Sequence, residues 1–201
     1  MSNTIKPKGK KRAGSSAKPS KPAEPGLGGP ATGVAPTVSH MLGEMTWLLT
    51  QSPLHRVLSL GDLEWLVMPA LIHEQFYLFR DGDQPVGLAM WAKCGPAAVK
   101  KLDGGMIEPE NRLSLDEWTN GEQIWLVDMI APFATTENRQ RELMMADLIS
   151  GPLAGKAFNF HQTDPQTGKR TVQQVSADAG AKLREVIQAA LGAEGGAGTQ
   201  H

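Results

Sequence analysis

Residues 124–133 read IWLVDMIAPF, an apolar run that contains a single ionisable residue, Asp128. A short run rich in Ile, Val and Trp is typical of a buried strand. A carboxylate in such a strand is costly unless a neighbouring group pairs with it or hydrogen-bonds it. The stretch therefore predicts a buried strand, and it predicts a specific partner for Asp128.

Hydrophobic spacing on both sides of this strand predicts an α/β (α+β) domain, in which helices flank a single mixed sheet. Pro53 is expected to end the first helix, and the Asp81-Gly82 pair to turn a hairpin. Thr135 or Thr136 is the expected N-cap of the helix that follows the quoted strand. In chain order, the predicted elements are helices over 41–51 and 60–74, strands over 75–80 and 85–93, a short helix over 97–102, the strand over 121–132, a helix over 135–149, and strands over 155–162 and 169–175.

Charge and composition divide the chain into three parts. Residues 1–40 contain seven basic residues and one acidic residue, Glu24, which is a net charge of +6, so the remainder carries −7 for a total of −1. Because residues 1–36 hold almost no core-forming side chains, residues 1–40 are expected to be a disordered basic tail. The folded domain is assigned to residues 41–175, and residues 176–201 to a short helix and a flexible end.

Composition also argues against several classes of protein. No run approaches the roughly 18 apolar residues of a membrane span, and the basic tail lacks the apolar segment of a signal peptide. The only cysteine, Cys94, excludes an intramolecular disulfide and a cysteine-based zinc cluster. No histidine pair has metal-ligand spacing, so neither a metal nor a bound cofactor is expected. We expect a soluble cytoplasmic protein without nucleic-acid partners or stable membrane insertion.

Histidine is the residue type that best suits a carboxylate partner in a catalytic role. His55 lies in the sequence SPLHR, a turn between two apolar helices, and such loops often carry catalytic groups. If Asp128 accepts a hydrogen bond from His55, the imidazole becomes an oriented general base. The remaining histidines fall in the tails or at the ends of elements: His40, His73, His161 and His201.

Alternatives exist for each of these candidates. Asp128 could instead hydrogen-bond a backbone amide or pair with a structural arginine, and spacing alone favours this alternative. Ser52 is either a nucleophile or a helix cap, and no nucleophile-elbow motif surrounds it. Cys94 is either a nucleophile or an inert small residue at a strand end, and the second reading is favoured.

A longer pattern of motifs resembles a known family. The segments MTWLLTQSPLHR (45–56), MPALIHEQFYLFRDGDQPVGLAMWA (68–92) and DEWTNGEQIWLVDMIAPF (116–133) look like those of the toxin-activating lysine acyltransferases, which activate RTX protoxins such as the haemolysins. The resemblance covers roughly residues 45–175. It implies a fold similar to that of the GNAT acyltransferases, and it places the essential histidine and aspartate of the family on His55 and Asp128. Ser52 matches the serine of the same motif, with a secondary role.

The resemblance also implies a reaction. A fatty acyl group would pass from acyl carrier protein, rather than from coenzyme A, to the ε-amine of internal lysines in an RTX protoxin. Backbone amides near the end of the quoted strand are the expected oxyanion donors. Basic contacts for the acidic carrier could come from Arg139 and Arg141 or from Lys100 and Lys101, and each of these is equally open to being an ordinary solvated charge. Four apolar residues either line a tunnel for the acyl chain or pack as plain core: Met90, Trp91, Trp125 and Met129.

Two other functions remain open at this point. One is a non-catalytic adaptor that binds acyl carrier protein or an RTX protein through the same groove. The other is a coenzyme A-dependent N-acetyltransferase, although residues 131–144, APFATTENRQRELM, lack the glycines of a pyrophosphate-binding turn. The sequence also leaves open whether the protein forms a homodimer.

Overall fold

A computed structural model describes residues 37–164 and 166–186 of the chain. Four helices and five strands follow one another in the predicted order, and residues 179–186 are also helical. The helices are α1 (Val38–Gln51), α2 (Leu63–Ile72), α3 (Pro96–Gly104) and α4 (Gln140–Ser150). The strands are β1 (Phe76–Asp81), β2 (Gln84–Cys94), β3 (Gln123–Ile130), β4 (Phe158–Thr163) and β5 (Arg170–Val175). The mixed α/β class with one sheet is confirmed.

The sheet has the strand order β1-β2-β3-β4-β5. All neighbouring strands are antiparallel except β3 and β4, which run parallel. The parallel ladder contains only three residue pairs and ends at Leu126 opposite Phe160, although both strands continue beyond it. The two strands therefore part at this point. Residues 127–130 of β3 have no described strand on the side that faces β4.

Helices cover both faces of the sheet, and the alternation of side chains along β2 separates two cores. Leu88, Met90 and Ala92 point into a core with α1, α2 and α3, whereas Ala89 and Trp91 point into a core with α4. We refer to these sides as the α1–α2 face and the α4 face. Because β2 is buried on both sides, its sequence reads as a nearly continuous apolar run.

The helix boundaries correct two expectations. Thr37 caps α1, since its hydroxyl accepts a hydrogen bond from His40 N at 3.2 Å, and the helix begins at Val38. The expected tail over 1–40 therefore extends too far by residues 38–40, and its part over 1–36 lies outside the described residues. At the other end, α1 stops at Gln51, directly before Ser52 and Pro53, as predicted.

The start of α4 differs from the expected Thr135 or Thr136. The Asn138 side chain accepts hydrogen bonds from Thr135 N at 2.9 Å and from Gln140 N at 3.1 Å. Arg139 has a φ of 48°, a left-handed conformation that separates this turn from the helix. Local hydrogen bonding by Asn138 thus replaces the predicted first turn, and α4 begins at Gln140.

The four apolar residues considered for an acyl tunnel do not share one surface. Met90 and Trp125 are buried in the core of the α1–α2 face, whereas Trp91 and Met129 pack in the core of the α4 face. Their role is therefore core packing on opposite sides of the sheet. In the described part of the chain, none of the helices has both the length and the apolar character needed to cross a membrane.

Candidate active site

The SPLHR segment forms a tight turn directly after α1. Ser52 is the C-cap residue of α1, and its carbonyl accepts hydrogen bonds from His55 N at 3.1 Å and from Arg56 N at 3.0 Å. The fixed φ of Pro53 suits the second position of such a turn. Leu58 N donates to His55 O at 2.9 Å, and the Leu58 side chain packs against the core. Ser52 and His55 therefore lie together on the inner side of the turn.

Both ring nitrogens of His55 have hydrogen-bond partners. Nε2 lies 2.8 Å from Asp128 Oδ2, and Nδ1 lies 2.7 Å from Ser52 Oγ. An ionised carboxylate can only accept, so in the neutral imidazole Nε2 carries the proton and donates it to Asp128. The Ser52 hydroxyl then donates to Nδ1. The three side chains form one hydrogen-bonded chain, which is the arrangement of a general base with its orienting acid.

A β-bulge in β3 directs Asp128 toward His55. Met90 pairs with Asp128 and Trp91 pairs with Leu126, so one step along β2 matches two steps along β3, and Val127 is the extra residue. Val127 packs against the core of the α1–α2 face while its neighbour Asp128 contacts His55. Two consecutive side chains thus share one face, as a bulge allows. In a regular strand Asp128 would point to the α4 face.

The site is partly open to solvent. The side chains of His55 and Asp128 are 16% and 27% exposed, and Ser52 is buried. Asp128 is therefore less buried than its apolar neighbours in the sequence suggest, because β3 extends past the end of its pairing with β4. The carboxylate of Asp128 is therefore accessible from solvent at this edge of the sheet.

The far end of the loop that carries His55 is anchored by Asp62. Its Oδ2 accepts hydrogen bonds from the backbone N and the hydroxyl of Ser59, both at 2.8 Å. Its Oδ1 accepts a hydrogen bond from Trp65 Nε1 at 2.9 Å and lies 3.3 Å from the Arg112 guanidinium. Chiefly because of the hydrogen bonds from Trp65 and Ser59, the pKa of Asp62 is lowered to about 2.

Arg112 also lies over the Trp65 ring, 4.5 Å from its centre, and so joins the loop to residues from elsewhere in the chain. This anchor was not predicted from the sequence. The Ser59–Asp62 spacing, which is that of a capping box, was the signal that could have revealed it.

The other candidate groups lie elsewhere. Cys94 is buried, and burial, together with the charge of Glu117, raises the pKa of its thiol to about 12. His73 contacts the Leu115 carbonyl. His161 Nε2 lies 2.9 Å from Asp103 Oδ1, and its ring stacks on Trp125. Unlike His55, His161 has no hydrogen bond to a serine among the described residues. His40 pairs with Glu44, and His201 lies outside the described residues.

Lys101, one of the residues considered for carrier binding, is paired with Glu117 at 2.7 Å. Throughout residues 37–164 and 166–186, no cluster of three or more His, Cys, Asp or Glu side chains has the arrangement of a metal site.

Comparison with known proteins identifies the family. Residues 34–177 match the sequence profile of the RTX toxin acyltransferase family. The chain is 29% identical over 133 residues to the RTX-II toxin-activating lysine-acyltransferase of Actinobacillus pleuropneumoniae. This alignment covers 65% of this chain and 77% of the relative. It is 31% identical over 145 residues to the leukotoxin-activating lysine-acyltransferase of Aggregatibacter actinomycetemcomitans. This alignment covers 67% of this chain and 84% of the relative.

A shorter alignment of 98 residues, 35% identical, relates it to the serotype A11 leukotoxin-activating lysine-acyltransferase of Mannheimia haemolytica, with 49% of this chain and 56% of the relative covered. The family match extends over most of the chain and contains Ser52, His55 and Asp128. The chain therefore belongs to the RTX toxin acyltransferase family and is an acyltransferase.

Proposed function

We propose that this protein transfers a fatty acyl group from acyl carrier protein to the ε-amine of internal lysines in an RTX protoxin, and so activates the toxin. Family membership supports the protoxin as substrate class. The observation that carries the catalytic assignment is the hydrogen-bonded chain from Ser52 through His55 to Asp128 at a partly open edge of β3. An acyl-carrier donor would place the reaction in the cytoplasm.

The difficult step is deprotonation of the amine. The lysine ε-amine has a reference pKa near 10.4, so only about one molecule in 2,500 is neutral at pH 7. The ammonium form first loses one proton to solvent. His55 then removes the second proton at Nδ1, because Nε2–H is engaged by Asp128, and the entering amine displaces the Ser52 hydroxyl from Nδ1. As the amine nitrogen attacks the thioester carbonyl, the C–N bond forms and the C–S bond breaks, and His55 passes the proton that it removed to the carrier thiolate, which leaves as the thiol. Asp128 stabilises the imidazolium formed in between, and Ser52 positions the ring.

The parting of β3 and β4 supports a GNAT-like arrangement of the donor. The parallel ladder ends at Leu126, and beyond it residues 127–130 of β3 have no described strand partner on the edge that faces β4. Backbone N–H groups on this edge would be the donors to a thioester carbonyl, since preorganised N–H donors stabilise the oxyanion of the transition state. We assign this edge as the donor site, with Asp128 and the bulge at Val127 beside it.

The turn before α4 favours a carrier-protein donor over coenzyme A. A pyrophosphate is usually held by free N–H groups at a helix N-terminus. Here Asn138 Oδ1 already accepts from Gln140 N, the first residue of α4, and Glu142 places a negative charge in the first turn. Both features oppose a bound pyrophosphate. An acyl carrier protein presents its thioester on an arm that lacks this group.

The proposal is tested by following acyl transfer directly. Purified protein is incubated with palmitoyl or myristoyl acyl carrier protein and a panel of RTX protoxins, and mass spectrometry locates acylated lysines. We expect a mass increase of one acyl group at internal lysines with the carrier donor, and none with acetyl-coenzyme A. Acetyl transfer from acetyl-coenzyme A, with no transfer from the acyl carrier protein, would support the N-acetyltransferase instead. Binding of carrier and protoxin without lysine acylation would support the adaptor.

A further inference from the structure

The loop that carries His55 exposes three large aliphatic side chains. Leu54, Val57 and Leu60 are 81%, 80% and 84% exposed, respectively. Single exposed apolar residues are ordinary in folded proteins, but a cluster beside a reactive group often indicates a binding surface. All three residues fall within seven consecutive positions that also include His55.

The backbone of the loop explains why Leu54 and Val57 both point away from the buried side of the turn. Its hydrogen bonds join residues three apart, from His55 N to Ser52 O and from Leu58 N to His55 O. With this period, side chains at every third position share a direction. Ser52, His55 and Leu58 form the inner series, which is buried or partly buried, whereas Leu54 and Val57 belong to an outer series. Leu60 follows Ser59, whose backbone is extended, and is also exposed.

Arg56, which lies between Leu54 and Val57 in the chain, adds a positive charge to the exposed part of the loop. It is exposed, and it forms no ion pair with any residue over 37–164 or 166–186, whereas Arg80 pairs with Glu44 and Arg112 with Asp62. A cation that is free of internal partners is available to an acidic group of another molecule. We call Leu54, Arg56, Val57 and Leu60 the 54–60 surface.

We propose that the 54–60 surface docks the acceptor polypeptide, and that it recognises aliphatic residues and one acidic residue close to the target lysine. The inference rests on the proposed function and extends it to substrate selection. It identifies specificity-determining residues that lie outside the catalytic chain of Ser52, His55 and Asp128.

The length of the reacting side chain indicates that the acceptor, and not the donor, binds the 54–60 surface. A lysine side chain is a four-carbon stem, so its nitrogen lies only about 6 Å from its backbone. When the nitrogen meets His55, the acceptor backbone is therefore held within about 6 Å of the ring, and the exposed residues nearest to His55 in the chain are those of the 54–60 surface. The acyl carrier delivers its thioester on a prosthetic arm several times longer, so its protein body contacts the enzyme farther from the base.

The experiment uses the full-length protein, palmitoyl acyl carrier protein, and synthetic 15-residue peptides with a central lysine. One peptide has Leu at positions near the lysine and one Glu, a second has Ser in place of each Leu, and a third has Lys in place of Glu. Release of the carrier thiol and the mass of each peptide are measured. The variant Leu54→Ser/Val57→Ser/Leu60→Ser is compared with Ile72→Ser/Ile107→Ser/Leu143→Ser, which removes three exposed aliphatic residues elsewhere.

We expect the surface variant to raise KM for the Leu peptide by about tenfold or more, which corresponds to about 1.4 kcal/mol. It should leave KM for the carrier and the melting temperature unchanged. The control variant should match the wild type. Arg56→Glu should weaken acylation of the Glu peptide and improve acylation of the peptide with Lys in its place, since the charges are exchanged.

Other outcomes would overturn the inference in recognisable ways. A rise in KM for the carrier alone would assign the 54–60 surface to the donor. A halved molecular mass of the surface variant in sedimentation would assign it to a second copy of the chain. Equal acylation of the Leu and Ser peptides by wild type and variant would show that the surface selects nothing. Failure of the wild type to acylate the RTX protoxins of the preceding experiment, with no thiol release, would instead contradict the proposed function. Acylation of a protoxin but of none of the peptides would contradict recognition by residues close to the lysine.

Discussion

His55 and Asp128 are separated by 73 positions in the chain, and their side chains meet at 2.8 Å between Nε2 and Oδ2. The contact joins the turn after α1 to the bulged segment of β3. Neither residue has a local sequence relation to the other. The meeting depends on the packing of α1 and α2 against the sheet, so the reactivity of the imidazole is a property of the folded domain.

Replacement of His55 by Ala is expected to lower acyl transfer by about 10²–10⁴-fold, which is the usual contribution of a general base. Asp128→Asn should give a smaller loss, because the amide oxygen still accepts from Nε2–H but no longer stabilises the imidazolium by charge. Single-turnover transfer from acyl carrier protein provides the measurement. His161→Ala is the matched control, since His161 makes a similar contact with Asp103 outside the site. Full activity of His55→Ala would refute the mechanism.

Ser52→Ala separates a positioning role from a nucleophilic role. If the hydroxyl only holds Nδ1, its loss removes one hydrogen bond, worth about 1 kcal/mol, and transfer should fall about fivefold. An acyl-serine intermediate predicts a loss as large as that of His55→Ala. Mass spectrometry of the protein after incubation with the donor, without acceptor, provides a second readout: an acyl adduct on Ser52 would contradict direct transfer.

Cys94 is expected to be chemically inert in the folded protein. Because burial and the nearby charge of Glu117 raise the pKa of its thiol to about 12, almost no thiolate forms at pH 8. Iodoacetamide should therefore label the native protein very slowly and the urea-unfolded protein rapidly. Since Cys94 is the only cysteine, the signal has a single source. Rapid native labelling accompanied by loss of transfer would return Cys94 to the list of catalytic candidates.

Asp62 should make the stability of the domain depend on pH at the acidic end. Its pKa is lowered to about 2 in the folded state, against about 3.9 in an unfolded chain. The folded protein therefore binds fewer protons between these values, and the stabilisation is present above pH 4 and lost as the pH falls toward 2. The melting temperature of Asp62→Asn should lie below that of the wild type at pH 6, and the difference should shrink between pH 4 and pH 2. A constant difference would show that the carboxylate charge is not what anchors the loop.

Much of the fold followed from local pattern. Apolar periodicity, together with Pro53 and the Asp81-Gly82 turn, located every element in the correct order, because each of these signals acts over a few residues. The start of α4 did not follow, since an Asn138 side chain competes with the first helical turn in a way that propensity does not register.

The candidate site was predictable only in part. His55 and Asp128 were identified by a turn between helices, by an isolated carboxylate and by family resemblance, but spacing alone favoured a structural role for both. The anchor at Asp62 was missed, although its spacing from Ser59 was visible. Its contacts with Trp65 and Arg112 are tertiary.

By itself, the sequence determined that residues 124–130 form an apolar strand and that Asp128 needs a partner. The tertiary structure decided which partner, because the bulge at Val127 turns Asp128 to the same face as His55. Residues on both sides of Asp128 are apolar, and core side chains pack on both faces of β3. An alternation of polar and apolar residues, which would have revealed Val127 as the bulge residue, is therefore missing from the sequence. The physical reason is that side-chain direction in a strand changes with a single residue of register, and register is set by pairing with β2.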